Sequence, residues 1–238
     1  MDKEIDDIKA VEEMEQQEAV GYRELLLPWV RPMLIVGVGL AIIQQLSGIN
    51  TVIYFAPSIL QATGFDASAA ILGTVGVGIM NTLMTVVAIV LLDRVGRRVL
   101  LLVGLVGMTV SLGTLGLIYL LFGLSGVVGY AALACVTVYV ACFAFSLGPI
   151  VWLMMSEIFP LQVRGSAMSV ATIALWVSNI VVALTFLSMI ERFGNTATFW
   201  LYGLICAAAW VFVYLLVPET KERSLEEIEA DLRERAAV

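Results

Sequence analysis

Oily and polar positions alternate along this chain in blocks and not with a helical or strand period. Six runs, at 32–61, 68–92, 99–122, 127–156, 165–190 and 196–217, contain no Asp, Glu, Lys or Arg. A helix that spans a bilayer needs roughly 20 consecutive apolar residues, and every run is long enough. Short breakers part them: "GFDAS" at 64–68, "DRVGRR" at 93–98, "GLSG" at 123–126, "RFGN" at 192–195, and Pro218 as the last stop. The pattern predicts an all-α membrane protein of six transmembrane helices. The first run carries an anomaly, "QQLSGIN" at 44–50. As one straight helix that run would reach about 45 Å, well beyond the roughly 30 Å hydrocarbon core. It must tilt, protrude or break, and Gly48 ahead of Asn50 is the place to break.

Composition agrees. Of 238 residues, 61% are hydrophobic, 14% are charged and none is histidine, against about 25% charged in ordinary soluble domains. Every lysine and arginine except Arg192 falls on one side of the six runs: Lys3, Lys9, Arg23 and Arg31, then Arg94, Arg97 and Arg98, then Arg164, then Lys221, Arg223, Arg233 and Arg235. The positive-inside rule then puts both termini in the cytoplasm of a multi-pass cell-membrane protein. The net charge of −7 does not oppose this, because acidic residues count little in that rule. The first thirty residues are acidic and carry no cleavable signal, so the first span would serve as its own insertion signal. Cys135, Cys142 and Cys206 lie inside runs and read as unpaired packing residues.

The ends read as cytoplasmic helices. Residues 4–19 place Ile5, Ile8, Val11 and Met14 among acids, and Ser224 with Glu227 forms a capping-box pattern ahead of Leu225, Ile228 and Leu232. Domains are thus expected at 1–31 (a cytoplasmic helical end), 32–217 (the membrane bundle) and 218–238 (a cytoplasmic helical tail). Basic residues are outnumbered at both ends, which argues against a nucleic-acid partner.

The amides carry the candidate chemistry. A Gln or Asn side chain presents one acceptor and two donors on an uncharged plane, which suits the neighbouring hydroxyls of a neutral polyol. Discontinuous spans near the midplane are where transporters hold substrate. Gln44, Gln45 and Asn50 sit around the expected break, with Tyr54 beyond it, Asn81 in the second run and Asn179 in the fifth. Trp152 and Trp176 offer flat faces for the C–H side of a sugar ring. The plainer role of a lone Asn81 or Asn179 is an interhelical hydrogen bond, and Trp29 and Trp200 read as interfacial anchors. No intramembrane acid or base, histidine or metal-ligand cluster supports an enzyme, a metal or another cofactor.

Four stretches carry a family resemblance. "GLAIIQQLSGINTVIYFAPSI" at 39–59 resembles the seventh helix of the sugar porters of the major facilitator superfamily, and "DRVGRR" resembles the superfamily signature between helices 8 and 9. "LGPIVWLMMSEIFPLQVRG" at 147–165 resembles helix 10 with its cytoplasmic loop, and "VPETKERSLEEIE" at 217–229 the C-terminal "PETKG" signature. The segment before Pro32 is similar to the end of the family's intracellular helical domain. The resemblance implies monosaccharide transport, of a hexose or a pentose, by alternating access. It assigns sugar contacts to Gln44, Gln45, Asn50, Asn81 and Trp152, closure to Tyr54, and an aromatic near the site to Trp176. It assigns a cytoplasmic charge gate to Asp93, Arg94, Arg97, Arg98, Glu157 and Arg164. Ala144, Leu175 and Glu222 depart from common family residues, and the first two leave the sugar open. If the carrier is a proton symporter, the resemblance puts the coupling acid in the family's first bundle.

The gate has an argument of its own. Asp93 and Glu157 fall at expected helix C-termini, and Arg97, Arg98 and Arg164 at N-termini, each the wrong sign for its helix dipole by about 0.3–1 kcal/mol. Partners across helices would offset that. The family has twelve spans in two bundles, and these six resemble the second, with Met1 where the central intracellular domain would lie. The chain is therefore expected to be a fragment, the C-terminal sugar-binding half that needs an N-terminal six-helix bundle. The alternatives are a half-transporter that pairs with a second copy, or a sugar sensor that does not transport.

Overall fold

The protein's structure, a computed structural model, describes residues 24–62, 65–123 and 126–221. The expected helix at 4–19 and the capping pattern at Ser224 and Glu227 lie outside the described residues. Within them, every regular element is helical, as expected for a chain whose backbone polar groups must be satisfied inside each segment in lipid.

The first run is two helices, α1 (Arg31–Leu46) and α2 (Ile49–Ala62), with Pro32 in the first turn of α1, where its missing N–H costs nothing. The break falls at Ser47 and Gly48 as the length argument expects, and Gly48 takes φ 86°. Helix α3 (Ala67–Val95) starts at Asp66, whose carboxylate accepts from the Ala69 amide at 2.6 Å, a side-chain N-cap. It ends at Gly96, φ 98°, and α4 (Arg97–Phe122) follows at once.

The fourth run holds a second break that was not expected. It divides into α5 (Gly126–Phe145) and α6 (Leu147–Ile158) at Ser146, whose φ and ψ are −123° and −97°. The fifth and sixth runs form a single stretch, α7 (Arg164–Leu216), interrupted at Gly194 by φ 77° and ψ 170°. Five apolar helical stretches long enough to cross a membrane therefore occur among the described residues, at 31–61, 67–95, 97–122, 129–158 and 164–216, where six separate helices were expected. A straight helix of 53 residues would measure about 80 Å, more than twice the hydrocarbon core.

Helices α1 and α4 pack along α7, α4 also packs on α5, and α3 packs on α5. Tyr139, Phe159, Phe186, Phe199 and Met33 are among the largest fully buried side chains. Small residues let the helices close: a Cβ at Gly104 would overlap the Ser146 hydroxyl, and one at Gly37 would overlap the Phe159 ring. Helix α3 leaves Leu72, Ile79, Leu83 and Ile89 exposed, a face suited to hydrocarbon and too large for a water-facing surface. The three cysteines are free, as expected. Trp200 is not only an anchor, since its Nε1 donates to the Gly113 carbonyl on α4 at 3.1 Å.

Candidate functional site

Gln45 and Asn50 at the first break come together with Asn179, while Gln44 is tied to the start of α6. Gln44, Gln45 and Asn179 are only 3%, 7% and 8% exposed, yet each keeps hydrogen-bonding capacity in reserve. Asn50 Nδ2 donates to Gln45 Oε1 at 2.8 Å and to Asn179 Oδ1 at 3.2 Å, which links α1, α2 and α7. Gln44 Nε2 donates to the Leu147 carbonyl at 2.8 Å and the Gly148 carbonyl at 3.2 Å. Two carbonyls can face only the nitrogen of an amide, so the orientation of Gln44 is fixed. Asn179, which alone reads as interhelical glue, is a full member of this cluster.

Gln44 Oε1, Gln45 Nε2, Asn50 Oδ1 and Asn179 Nδ2 have no hydrogen-bond partner among the described residues. None of the four is among the sealed, unpartnered polar atoms, which in the described residues are Arg97 Nε and Arg98 Nε. They are uncharged donors and acceptors that are not sealed from the surface, of a kind that suits a ligand carrying several hydroxyls.

Exposed aromatic residues lie one helical turn along the chain from three residues of these contacts. Tyr54 is one turn beyond Asn50 on α2, Trp152 one turn beyond Gly148 on α6, and Trp176 one turn before Asn179 on α7. No hydrogen bond joins Tyr54, Trp152, Trp176 or Asn81 to the amides among the described residues. Asn81 is half-buried on α3, and its contribution there is through its backbone carbonyl, which accepts from Thr85 Oγ1 at 2.9 Å.

The charged residues expected to form a cytoplasmic gate are gathered only in part. Arg97 Nη2 donates to Glu157 Oε1 at 3.0 Å, while its Nη1 donates to the Leu92 carbonyl at 3.1 Å and lies 3.7 Å from Asp93 Oδ1. Arg98 donates to the Tyr214 carbonyl and lies over that ring, 5.7 Å from its centroid. Arg164 donates to the Phe159 carbonyl at 3.1 Å and forms no ion pair among the described residues, and neither does Arg94. A residue outside the expected set takes the central place. The Glu219 carboxylate accepts from the Arg97 and Arg98 amides at 2.9 and 3.1 Å, so the tail supplies the negative charge that the start of α4 lacks. Gly96 is required for this, because a Cβ there would come within 2.7 Å of the carboxylate. Thr220 donates to the other oxygen of Glu157, and Lys221 Nζ donates to the Arg94 carbonyl at 3.0 Å.

Known proteins resemble this chain in sequence and fold. The family described as "Sugar (and other) transporter" matches residues 1–232. A D-xylose transporter of Levilactobacillus brevis is 41% identical over 233 residues, which are 98% of this chain and 50% of that protein. The glucose transporter GlcP of Staphylococcus epidermidis is 36% identical over 237 residues, 98% of this chain and 52% of its own. Among solved structures, the proton:xylose symporter XylE bound to 6-bromo-6-deoxy-D-glucose superposes with a TM-score of 0.78 at 35% identity, over 94% of this chain and 48% of that one. The inward-open xylose transporter XylE from E. coli gives a TM-score of 0.74 at 36% identity, over 94% and 46%. The chain spans about half the length of the curated relatives it matches. With its apolar helices and this match along nearly its whole length, the chain is a multi-pass membrane protein and belongs to the sugar (and other) transporter family, among the sugar porters of the major facilitator superfamily, a family of transporters and not of enzymes.

Proposed function

We propose that this chain supplies the C-terminal sugar-binding half of a monosaccharide transporter that works by alternating access, with an N-terminal six-helix bundle as its partner. The observation that carries this is the buried amide patch at a broken span, with four polar atoms left open and an aromatic ring one turn from three of its anchor points. Neutral amides match the hydroxyls of the xylose and glucose named for its relatives, while an ionic substrate would call for charge. Gln44, Gln45, Asn50 and Asn179 bind hydroxyls. Trp152 and Trp176 stack on the ring, Tyr54 closes over it, and Asn81 contributes from α3. Arg97 and Glu157, with Asp93, Arg94, Arg98 and Arg164 around them, form the cytoplasmic gate.

A truncation test follows. Replacing Gln45 or Asn50 by Ala, in this chain co-assembled with an N-terminal bundle, should weaken sugar binding by about 1–3 kcal/mol for each lost partner of a buried hydroxyl. That is a rise in KM of up to about a hundredfold. Unchanged KM in the Gln44→Ala, Gln45→Ala and Asn50→Ala variants alike would place the site elsewhere.

The bundle crosses the cell membrane six times with both termini in the cytoplasm, and α7 turns at Gly194 between its two crossings. Residues near 67 and 191 therefore face outward. Cysteines introduced as Ala67→Cys and Glu191→Cys should react with an impermeant thiol reagent in intact cells. Labelling that needs permeabilisation would reverse the orientation.

A further inference from the structure

The broken spans are tied to each other by two side chains, one from each. Tyr139, on α5 and 1% exposed, donates its hydroxyl to the Ser47 carbonyl at 2.8 Å. Among the described residues no backbone N–H reaches that carbonyl, so the phenol is its partner. In the other direction, Gln44 on α1 donates to the Leu147 and Gly148 carbonyls at the start of α6. The α1–α2 break is thus tied to α5 through Tyr139 and to the start of α6 through Gln44.

We propose that Tyr139 is a positioning residue of the amide site, acting on a bound sugar through the Ser47–Gly48 peptide and not by touching the sugar; this rests on the sugar-binding reading above. The peptide that Tyr139 holds precedes Gly48, the pivot between α1 and α2. Glycine accepts either sign of φ at little cost, and the one local tie on that peptide is its N–H, which donates to the Gln45 carbonyl at 3.0 Å; the bond to its carbonyl is the second. Gln44 and Gln45 lie within three residues on one side of Ser47, and Asn50 lies three on the other. A rotation of the peptide moves Asn50 relative to Gln45 and Asn179, its two partners at 2.8 and 3.2 Å. Tyr139 opposes that rotation from outside the span by clamping the carbonyl to α5, and Gln44 clamps the preceding helix to α6. Both clamps end on the same broken span, so the amides are registered against one frame. A phenylalanine would fill the same space and leave the Ser47 carbonyl without its donor.

The test is Tyr139→Phe in the full chain, reconstituted in liposomes with the N-terminal bundle of a related porter, with labelled D-xylose as the probe. KM should rise roughly tenfold, as for the loss of one buried hydrogen bond, while maximal uptake per folded protein stays within about twofold. In an Asn50→Ala background the same change should move KM less than about twofold, because the group that Tyr139 positions is gone. In the purified chain, amide hydrogen exchange across residues 47–52 should accelerate roughly tenfold without sugar. An unchanged KM in Tyr139→Phe would overturn the proposal, as would an equal rise with or without Asn50 or unchanged exchange at 47–52. If the wild-type assembly takes up no sugar, the sugar-binding reading fails and the role of Tyr139 toward sugar fails with it. A failure of that kind is distinguished from failure of the clamp alone, in which wild-type uptake is normal and the variant matches it.

Discussion

Gly48→Ala is expected to destabilise the bundle by about 2–5 kcal/mol, two separate costs adding at one position. The first is conformational. Gly48 holds φ 86°, and an L-residue held in the left-handed region costs about 1–2 kcal/mol. The second is steric, since a Cβ would sit 2.8 Å from Cδ1 of the Tyr202 ring, and overpacking of this kind costs about 1–3 kcal/mol. The ring has little room to retreat, being buried between the break and Phe186, whose ring centroid is 6.2 Å away. Gly76 is the control, because a Cβ there meets nothing within 4 Å and its φ is ordinary for a helix. Thermal unfolding in lipid nanodiscs should show a clear loss for Gly48→Ala and none for Gly76→Ala. Equal midpoints would mean that the break is not pinned in this geometry.

Arg97→Ala should be the most damaging single change at the cytoplasmic end, at about 2–3 kcal/mol. Its guanidinium binds Glu157 at 3.0 Å with the two side chains 13% and 23% exposed. Removing one member of a buried ion pair leaves the other charge poorly solvated, for about 3–5 kcal/mol when burial is complete, and partial exposure of Glu157 trims that. Thr220 alone among the described residues would still donate to the carboxylate. Asp93, 3.7 Å from Arg97 and 86% exposed, is a surface partner, so Asp93→Ala should change little. A double-mutant cycle between Arg97→Ala and Glu157→Ala, read by unfolding midpoints, should return a coupling of more than about 1 kcal/mol. Additive losses would show that the pair is geometric only and cannot latch a conformation.

The membrane character was legible in the sequence because lipid allows so few solutions. A charge-free run long enough to span is helix, since any other backbone would leave polar groups unsatisfied. The break at Gly48 was legible too, through a length that exceeds the bilayer and a glycine beside polar residues. The same length argument applies to the fourth run, but Ser146 lacks a neighbouring amide cluster to attract notice, and the break emerged only with α5 and α6 in place. What stayed hidden shares a physical cause. Tyr139 and Ser47 are separated by 92 residues, Asn50 and Asn179 by 129, and Arg97 and Glu219 by 122. Neither periodicity nor propensity carries information over such distances. Tyr139 therefore passes for core, Asn179 for glue, and Glu219 for part of a C-terminal signature with no partner assigned. Arg164 misleads in the opposite sense: its place near Glu157 suggests a pair, whereas its side chain turns back to the Phe159 carbonyl one turn away.

Uptake of labelled D-xylose and D-glucose into liposomes decides whether this chain acts as one half of a carrier. Alternating access needs two bundles that rock about a shared site, and here the open amide atoms and the exposed Tyr54, Trp152 and Trp176 belong to one bundle. Liposomes holding the chain alone should show no saturable uptake. Those that also hold the N-terminal bundle of a related porter should show saturable uptake that prefers D- over L-sugars and is lost in Asn50→Ala. Saturable, stereospecific uptake by the chain alone would contradict this and establish a transporter assembled from copies of one half.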